Sequence, residues 1–137
     1  AFWLMGDSVL SENNGGKDGT EIDIYESPFH NEKKIQHTLN WDGYGKAHKS
    51  SGKVVSANVY DGNYHTFGLL WTEDEYVYYI DGKESWRTDA KKARGTCEVP
   101  LYVIVSAETG GWTGAPSPED LPDSIKVDYV RVYGEVK

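Results

Sequence analysis

Three carboxylic acids, Glu21, Asp23 and Glu26, lie close together in the segment G-T-E-I-D-I-Y-E. Side chains two positions apart in a strand share a face, so Glu21 and Asp23 are predicted to point the same way. Strict alternation would place Glu26 on the opposite face, and a one-residue β-bulge near Ile24 and Tyr25 would return it. Two such carboxyls could serve as the nucleophile and the proton donor of retaining glycoside hydrolysis. The third acid, between them, could hydrogen-bond the nucleophile.

The alternative interpretation of this segment is a solvated edge strand whose acids simply face water. Acidic residues are depleted in strands, and stacking three of them on one face adds repulsion that strand packing does not require. A carbohydrate cleft gives a reason for the arrangement. The spacing therefore favours a catalytic strand.

The segment E-I-D-I-Y-E, with A-F-W-L-M before it, resembles the catalytic motif of glycoside hydrolase family 16. The spacing E-x-D-x-x-E is similar to the bulged form of the motif in the laminarinase-like and galactanase branches. Four later segments follow in the order that the family shows: H-T-F-G-L-L-W, Y-Y-I-D-G, L-Y-V-I-V-S and V-D-Y-V-R-V-Y. The resemblance covers essentially the whole chain.

By this resemblance, Glu21 corresponds to the nucleophile, Asp23 to a helper acid and Glu26 to the general acid/base. The implied fold is all-β, a β-jelly-roll (concanavalin-like) sandwich of antiparallel sheets with a concave substrate cleft. The implied reaction requires no cofactor. The family also holds a structural calcium ion on its convex side, and Asp128 matches the position of one ligand.

Aromatic and polar side chains near the catalytic strand are candidates for substrate binding. His37 and Trp41 share a face of the next strand and would flank the scissile bond if that face lines the cleft; the alternative is a core tryptophan and a satisfied buried histidine. Trp3 matches the cleft tryptophan of the family, with core packing as its alternative. Glu108 and Trp112 lie in a loop after a buried strand, where functional residues concentrate; the alternative for Trp112 is a structural lid.

Short strands separated by turn signals predict one sandwich domain over residues 1–137. The predicted strands include residues 20–26, 35–41 and 64–72, a buried strand at 101–107 and a closing strand at 125–134. The step Asp81-Gly82 predicts a tight hairpin between two of the strands. Residues 42–51 are predicted to form a glycine-rich loop.

The net charge of −8 argues against nucleic acid and anionic membranes as partners. No segment has the length of a membrane-spanning helix. Because Ala1 falls inside the matched motif, the resemblance implies that the N-terminal strands of the sandwich are missing. We therefore expect a second chain to complete it, through a homo-oligomer, strand exchange or an N-terminal fragment.

These observations predict an endo-acting retaining β-glycan hydrolase, acting on β-1,3- or mixed β-1,3/1,4-glucan. An agar- or galactan-type hydrolase of the same family is the alternative substrate class. A non-catalytic lectin-like sandwich and a transglycosylase are the rivals in mechanism. Since polysaccharides are met outside the cytoplasm, the expected location is secreted, periplasmic or at the cell surface.

Overall fold

The computed structural model of the protein describes residues 1–29, 33–89 and 95–134, with the side chains of residues 89 and 112 outside that description. The chain divides into two compact units, Ala1–Ser106 and Ala107–Lys137. All strands of the described part belong to the first unit. They are β1 (Phe2–Met5), β2 (Thr20–Glu26), β3 (Lys34–Trp41), β4 (Lys49–Ser56), β5 (Phe67–Trp71), β6 (Glu75–Ile80), β7 (Lys83–Asp89) and β8 (Tyr102–Val105).

The strands form two antiparallel sheets. One has five strands in the order β4-β3-β2-β1-β8, and the other has three in the order β5-β6-β7. Both sheets contribute side chains to a single core, with Ile22 and Leu39 from the first and Tyr76 and Tyr78 from the second. Burial of this apolar surface drives the packing of the sheets. The predicted all-β, antiparallel fold class is confirmed.

Strand β3 shows the clearest period of two. Ile35, His37, Leu39 and Trp41 are buried, whereas the residues between them are only partly buried. The strand pairs with β4 in an unbroken register over its whole length. Strand β3 is therefore regular, so an irregularity in its pairing with β2 must arise from β2.

The hairpin between β6 and β7 turns at Asp81-Gly82, as the sequence predicts. Ile80 pairs directly with Lys83, which leaves two residues in the turn. Both of these residues have positive φ, 50° for Asp81 and 74° for Gly82. Positive φ at both central positions is the requirement of a type I′ turn, which Asp-Gly meets at low strain.

Three sequence predictions differ from the structure. The predicted loop at 42–51 ends early, because Lys49 begins strand β4, a polar edge strand held by its ladder with β3. Strand β8 is not the buried strand predicted at 101–107, since Val103 and Val105 are each 40% exposed at an edge of the sheet. Residues 125–134, predicted to form the closing strand, are exposed and do not form a strand.

The second unit has little regular structure in its described part, residues 107–134. It contains two short 3₁₀ turns, Gly111–Thr113 and Pro118–Asp120. A period-two sequence forms a strand only where another strand satisfies its backbone, and the described part of this unit offers none. This explains why the alternating pattern of residues 125–134 did not produce a strand. Among the described residues, no helix has the length and apolar character needed to cross a membrane.

Candidate active site

Strand β2 contains the β-bulge that the spacing of its acids predicts. Asp23 pairs with Thr38 of β3, whereas the next register pair is Glu26 with Gln36. Three steps along β2 therefore match two steps along β3, which is the signature of one extra residue. On the other side, Trp3 of β1 pairs with Asp23 while Phe2 pairs with Tyr25, so the same extra residue interrupts both ladders.

The bulge places all three acids on one face of the five-stranded sheet. Residues directly opposite one another on antiparallel strands share a face. Glu21, Asp23 and Glu26 lie opposite Asn40, Thr38 and Gln36, which are alternate residues of a regular strand and so point the same way. The prediction that Glu26 returns to the face of Glu21 is confirmed.

The side chain of the extra residue, Ile24, packs in the apolar interior. Ile24 belongs to the core cluster and is 3% exposed. The ring of its neighbour Tyr25 packs on Phe67 of the second sheet, with ring centroids 4.3 Å apart. Two consecutive side chains thus point inward, and burial of both stabilises the bulged backbone over a regular strand.

Side-chain amides from β3 hold the acids in position. Asn40 Nδ2 donates to Glu21 Oε1 at 2.8 Å and to Asp23 Oδ2 at 3.1 Å. Gln36 Nε2 donates to Glu26 Oε2 at 3.0 Å. Each carboxyl therefore has a donor on the adjacent strand, and such a hydrogen bond is strongest when the carboxyl is ionised.

The loop after β3 adds a further donor. Tyr44 Oη donates to Glu21 Oε2 at 2.5 Å. Burial, and then the hydrogen bond to Glu21, raise the pKa of Tyr44, so the phenol keeps its proton. His48 Nε2 donates to Asn40 Oδ1 at 3.1 Å and so fixes the orientation of that amide. Glu21 is held from two sides.

Burial separates the protonation behaviour of the acids. Asp23 is 4% exposed, and burial together with the charges of Glu26 and Glu21 raises its pKa to about 9. Burial also raises the pKa of Glu26; the Gln36 amide lowers it and the charge of Glu21 raises it. At neutral pH Asp23 carries a proton, and Glu26 holds its own to a higher pH than an exposed glutamate does. This arrangement can supply a proton donor, Glu26, on the same face as Glu21, whose carboxyl oxygens accept hydrogen bonds from Asn40 and Tyr44.

The sequence analysis missed four residues that contact the acids or their partners: Asn40, Gln36, Tyr44 and His48. The first two could have been found, since they are the polar alternate residues on the strand that follows the acidic motif. Tyr44 and His48 lie in the turn-rich segment between β3 and β4. The sequence of this segment shows no periodicity from which the direction of their side chains could be predicted.

Trp3 lies beside the acids, as predicted. It pairs directly with Asp23 and therefore shares its face. Its side chain is partly buried, and Trp3 Nε1 donates to Ser106 Oγ at 3.1 Å. The position suits contact with a bound sugar.

The prediction that His37 and Trp41 line the cleft does not agree with the structure. Both side chains lie on the inner face of the sheet, opposite to the acids, and they are 0% and 5% exposed. Trp41 belongs to the core cluster. The two residues do share a face, but it is the face that packs on the second sheet.

The remaining predicted residues belong to the second unit. Glu108 and Asp128 are exposed there, and the side chain of Trp112 lies outside the described residues. Within the described ranges, no group of three His, Cys, Asp or Glu side chains is arranged to hold a metal ion. Calcium ligation by Asp128, whose other ligands the resemblance places in a segment N-terminal to this sequence, therefore stays a prediction.

Comparison with known proteins agrees with this geometry. The family described as Glycosyl hydrolases family 16 matches residues 1–131. A keratan-sulfate endo-1,4-beta-galactosidase of Sphingobacterium multivorum is 30% identical over 97% of this chain and 32% of its own length. An endo-1,3-1,4-beta-glycanase of Rhizobium meliloti is 30% identical over 97% of this chain and 26% of its own length.

The solved structure of the laminarinase catalytic domain from Thermotoga maritima is similar in fold. Its TM-score is 0.66 at 25% identity, covering 87% of this chain and 50% of the laminarinase chain. The present chain thus spans about half of that domain and about a third or less of the two curated relatives. With nearly its whole length matched and the bulged acidic strand in place, this chain belongs to family 16 of the glycosyl hydrolases.

Proposed function

We propose that the protein is an endo-acting, retaining β-glycan hydrolase that cleaves β-1,3- or mixed β-1,3/1,4-glucan. The observation that carries this proposal is the bulge that brings Glu21, Asp23 and Glu26 to one face. Relatives named as endo-1,3-1,4-beta-glycanase and as laminarinase support the glucan assignment.

The reaction follows from the environments of the two glutamates. Glu21 attacks the anomeric carbon while Glu26 gives its proton to the leaving oxygen, and a glycosyl-enzyme forms. Esterification removes the charge of Glu21, which is one of the influences that raise the pKa of Glu26. The pKa of Glu26 then falls, so Glu26, which has already given its proton to the leaving group, stays ionised. It accepts a proton from the water that attacks the glycosyl-enzyme and releases the sugar with retained configuration.

Asn40 and Tyr44 orient the nucleophile in this scheme. Their two hydrogen bonds to Glu21 end on different oxygens of the carboxylate, which fixes the plane of the group. Asp23 keeps its proton at neutral pH and adds no second negative charge beside Glu21. Preorganised donors of this kind lower the barrier because they need no rearrangement during the reaction.

The experiment that tests the proposal is hydrolysis of laminarin and lichenan, with reducing ends counted and the first-formed anomer read by proton NMR. We expect oligosaccharides that initially carry the β-configuration. Glu21→Gln should abolish the release, whereas the exposed Glu73→Gln is the matched control. Binding without release would support a lectin, and longer products without new reducing ends would support a transglycosylase.

A galactan is the second candidate substrate, because one relative is named as a keratan-sulfate endo-1,4-beta-galactosidase. The net charge of −8 weighs against a sulfated chain, which needs local cations. Agarose and keratan sulfate therefore belong in the same panel. Faster cleavage of either than of laminarin would replace the glucan assignment and leave the mechanism intact.

The mechanism uses only carboxyl groups as nucleophile, acid and base, so we propose that no cofactor is required. Protein treated with EDTA should retain its hydrolysis rate. A loss of rate that only added calcium restores would contradict this proposal and would support Asp128 as a calcium ligand.

We further propose that a second copy of the chain pairs with β8. In the described part, β8 pairs only with β1. Val103 and Val105 lie opposite Leu4 and Phe2, which pack against the core, and both valines are 40% exposed. An apolar edge strand of this kind is a template for pairing.

Light scattering tests this proposal and should show a dimer. Val103→Glu should weaken the dimer, whereas the control Leu70→Glu, on an edge strand of the other sheet, should not. A stable wild-type monomer would contradict the proposal.

Because polymeric glucans are met outside the cytoplasm, we propose that the protein acts when secreted, in the periplasm or at the cell surface. Fractionation of the native cells with a specific antibody tests this location. Recovery of the protein from the cytosol alone would be the contrary result.

A further inference from the structure

His37 connects the bulge of β2 to the second sheet. Its side chain is 0% exposed, and both ring nitrogens have partners. Nδ1 lies 2.7 Å from the carbonyl oxygen of Ile24 on β2, and Nε2 lies 2.8 Å from Ser85 Oγ on β7. The ring contacts Tyr78 in a tilted arrangement, with centroids 4.8 Å apart, and lies nearly parallel to Trp86 at 6.4 Å. A histidine held on all sides in this way has one orientation.

Ile24 is the residue that both neighbouring ladders skip. The register of β2 with β3 passes from Asp23 to Glu26, and the register with β1 passes from Asp23 to Tyr25. A bulge leaves backbone groups without their ladder partners, and a buried carbonyl without a donor is costly. His37 Nδ1 supplies that donor at the point where the strand departs from regular pairing.

The partners also define the tautomer of the ring. A carbonyl oxygen only accepts, so Nδ1 must carry a hydrogen. Burial lowers the pKa of His37, which makes the ring neutral, so a ring protonated at Nδ1 has no hydrogen on Nε2. The Ser85 hydroxyl lies within hydrogen-bond distance of both Nε2 and the Tyr78 carbonyl oxygen, and its single hydrogen is shared between these two acceptors. The required form is therefore the Nδ1–H tautomer.

We propose that His37 is a positioning residue that holds the bulge at Ile24 and thereby keeps Glu26 on the same face as Glu21. This inference rests on the proposed function in so far as Glu26 is the acid/base. Its structural part, control of where Glu26 lies, stands independently of the reaction.

Two substitutions of His37 separate positioning from simple support of the fold. In His37→Asn, the amide nitrogen replaces Nδ1 and can still donate to Ile24. In His37→Gln, the amide reaches towards Ser85 and leaves the carbonyl of Ile24 without its donor. Ser85→Ala is the matched control, because it removes the hydroxyl beside Nε2, together with that hydroxyl's bond to the Tyr78 carbonyl, and leaves the donor to Ile24 in place.

The activity readout compares a natural glucan with an aryl glycoside whose leaving group needs no proton. For His37→Gln we expect kcat on the glucan to fall by about tenfold or more, with little change in KM and a much smaller loss on the aryl glycoside. His37→Asn should restore most of the loss. Ser85→Ala should lower Tm but leave the ratio of the two activities unchanged. Equal losses on both substrates, in step with Tm, would overturn the proposal.

A second readout does not depend on activity or on the variants folding. In wild-type protein with ¹⁵N-labelled histidine, NMR should show a neutral His37 protonated at Nδ1. An Nε2–H tautomer would overturn the proposal, since Nδ1 could not then donate to Ile24. If the wild type hydrolyses no β-glycan, the proposed function fails, and this spectrum still decides the role of His37.

Discussion

Gln36 Nε2 donates a hydrogen bond to Glu26 Oε2 at 3.0 Å across the register pair that ends the bulge. This bond favours the charged carboxylate and so lowers the pKa of Glu26. Burial acts in the opposite direction and is the largest influence, and the charge of Glu21 adds to it. The net effect is a raised pKa, and Gln36 limits how far it rises.

Replacing Gln36 with leucine should therefore raise the pKa of Glu26 further. In a retaining hydrolase, the alkaline limb of the kcat/KM profile reports loss of the acid's proton, so this limb should move to higher pH. The profile on laminarin checks the shift, with Ser56→Ala on strand β4 as the control. An unchanged or lowered alkaline limb would show that the amide does not act on the acid.

The two glutamates should give different products when they are removed. Glu21→Ala should lose several orders of magnitude in turnover, because no glycosyl-enzyme forms. Added azide can only replace the nucleophile itself, so this variant should yield the inverted α-azide from an aryl β-glycoside. The product configuration is read by NMR.

For Glu26→Ala, the intermediate still forms from an activated aryl glycoside. Azide then attacks it from the vacated side, and the product should be the β-azide. A β-azide from Glu21→Ala together with an α-azide from Glu26→Ala would mean that the roles of Glu21 and Glu26 are reversed. Undiminished hydrolysis of laminarin by both would refute the enzymatic role of the motif.

The sequence predicted the acidic strand and its bulge because an odd spacing of three like side chains has few structural solutions. It failed for His37 and Trp41 for a physical reason. Alternation along β3 shows that two faces exist, but only the cross-strand register with β2 shows which face meets the acids. Tyr44 escaped notice because loop conformation depends on tertiary contacts that local sequence does not encode.

Tyr44 offers a clean test of how the nucleophile is held. Tyr44→Phe removes the hydroxyl that donates to Glu21 Oε2 and keeps the ring. Loss of a hydrogen bond to a charged group costs about 1.5–3 kcal/mol, so kcat/KM should fall by roughly tenfold to a hundredfold. Steady-state kinetics on laminarin measure the loss. An effect below about twofold would mean that Asn40 alone orients Glu21.

Asp23 should make stability depend on pH in a direction opposite to that of most acids. Its pKa rises from 3.8 in its ordinary state to about 9 in the folded protein, mainly through burial. Between these values the folded chain binds a proton that the unfolded chain has lost, so stability falls as pH rises through this window. Below pH 4 both states are protonated, and the penalty vanishes.

Asp23→Asn removes this penalty because its neutral amide does not ionise. The variant should gain stability over the wild type, with a difference in Tm that is absent near pH 4, grows towards pH 9 and is constant above it. Calorimetry across this range, with exposed Asp7→Asn as the control, measures the difference. Activity should be partly retained, as suits a helper acid. A Tm difference that is independent of pH would show that Asp23 is already ionised in the folded protein at neutral pH, and the carboxyl would then stand as a second charge beside Glu21.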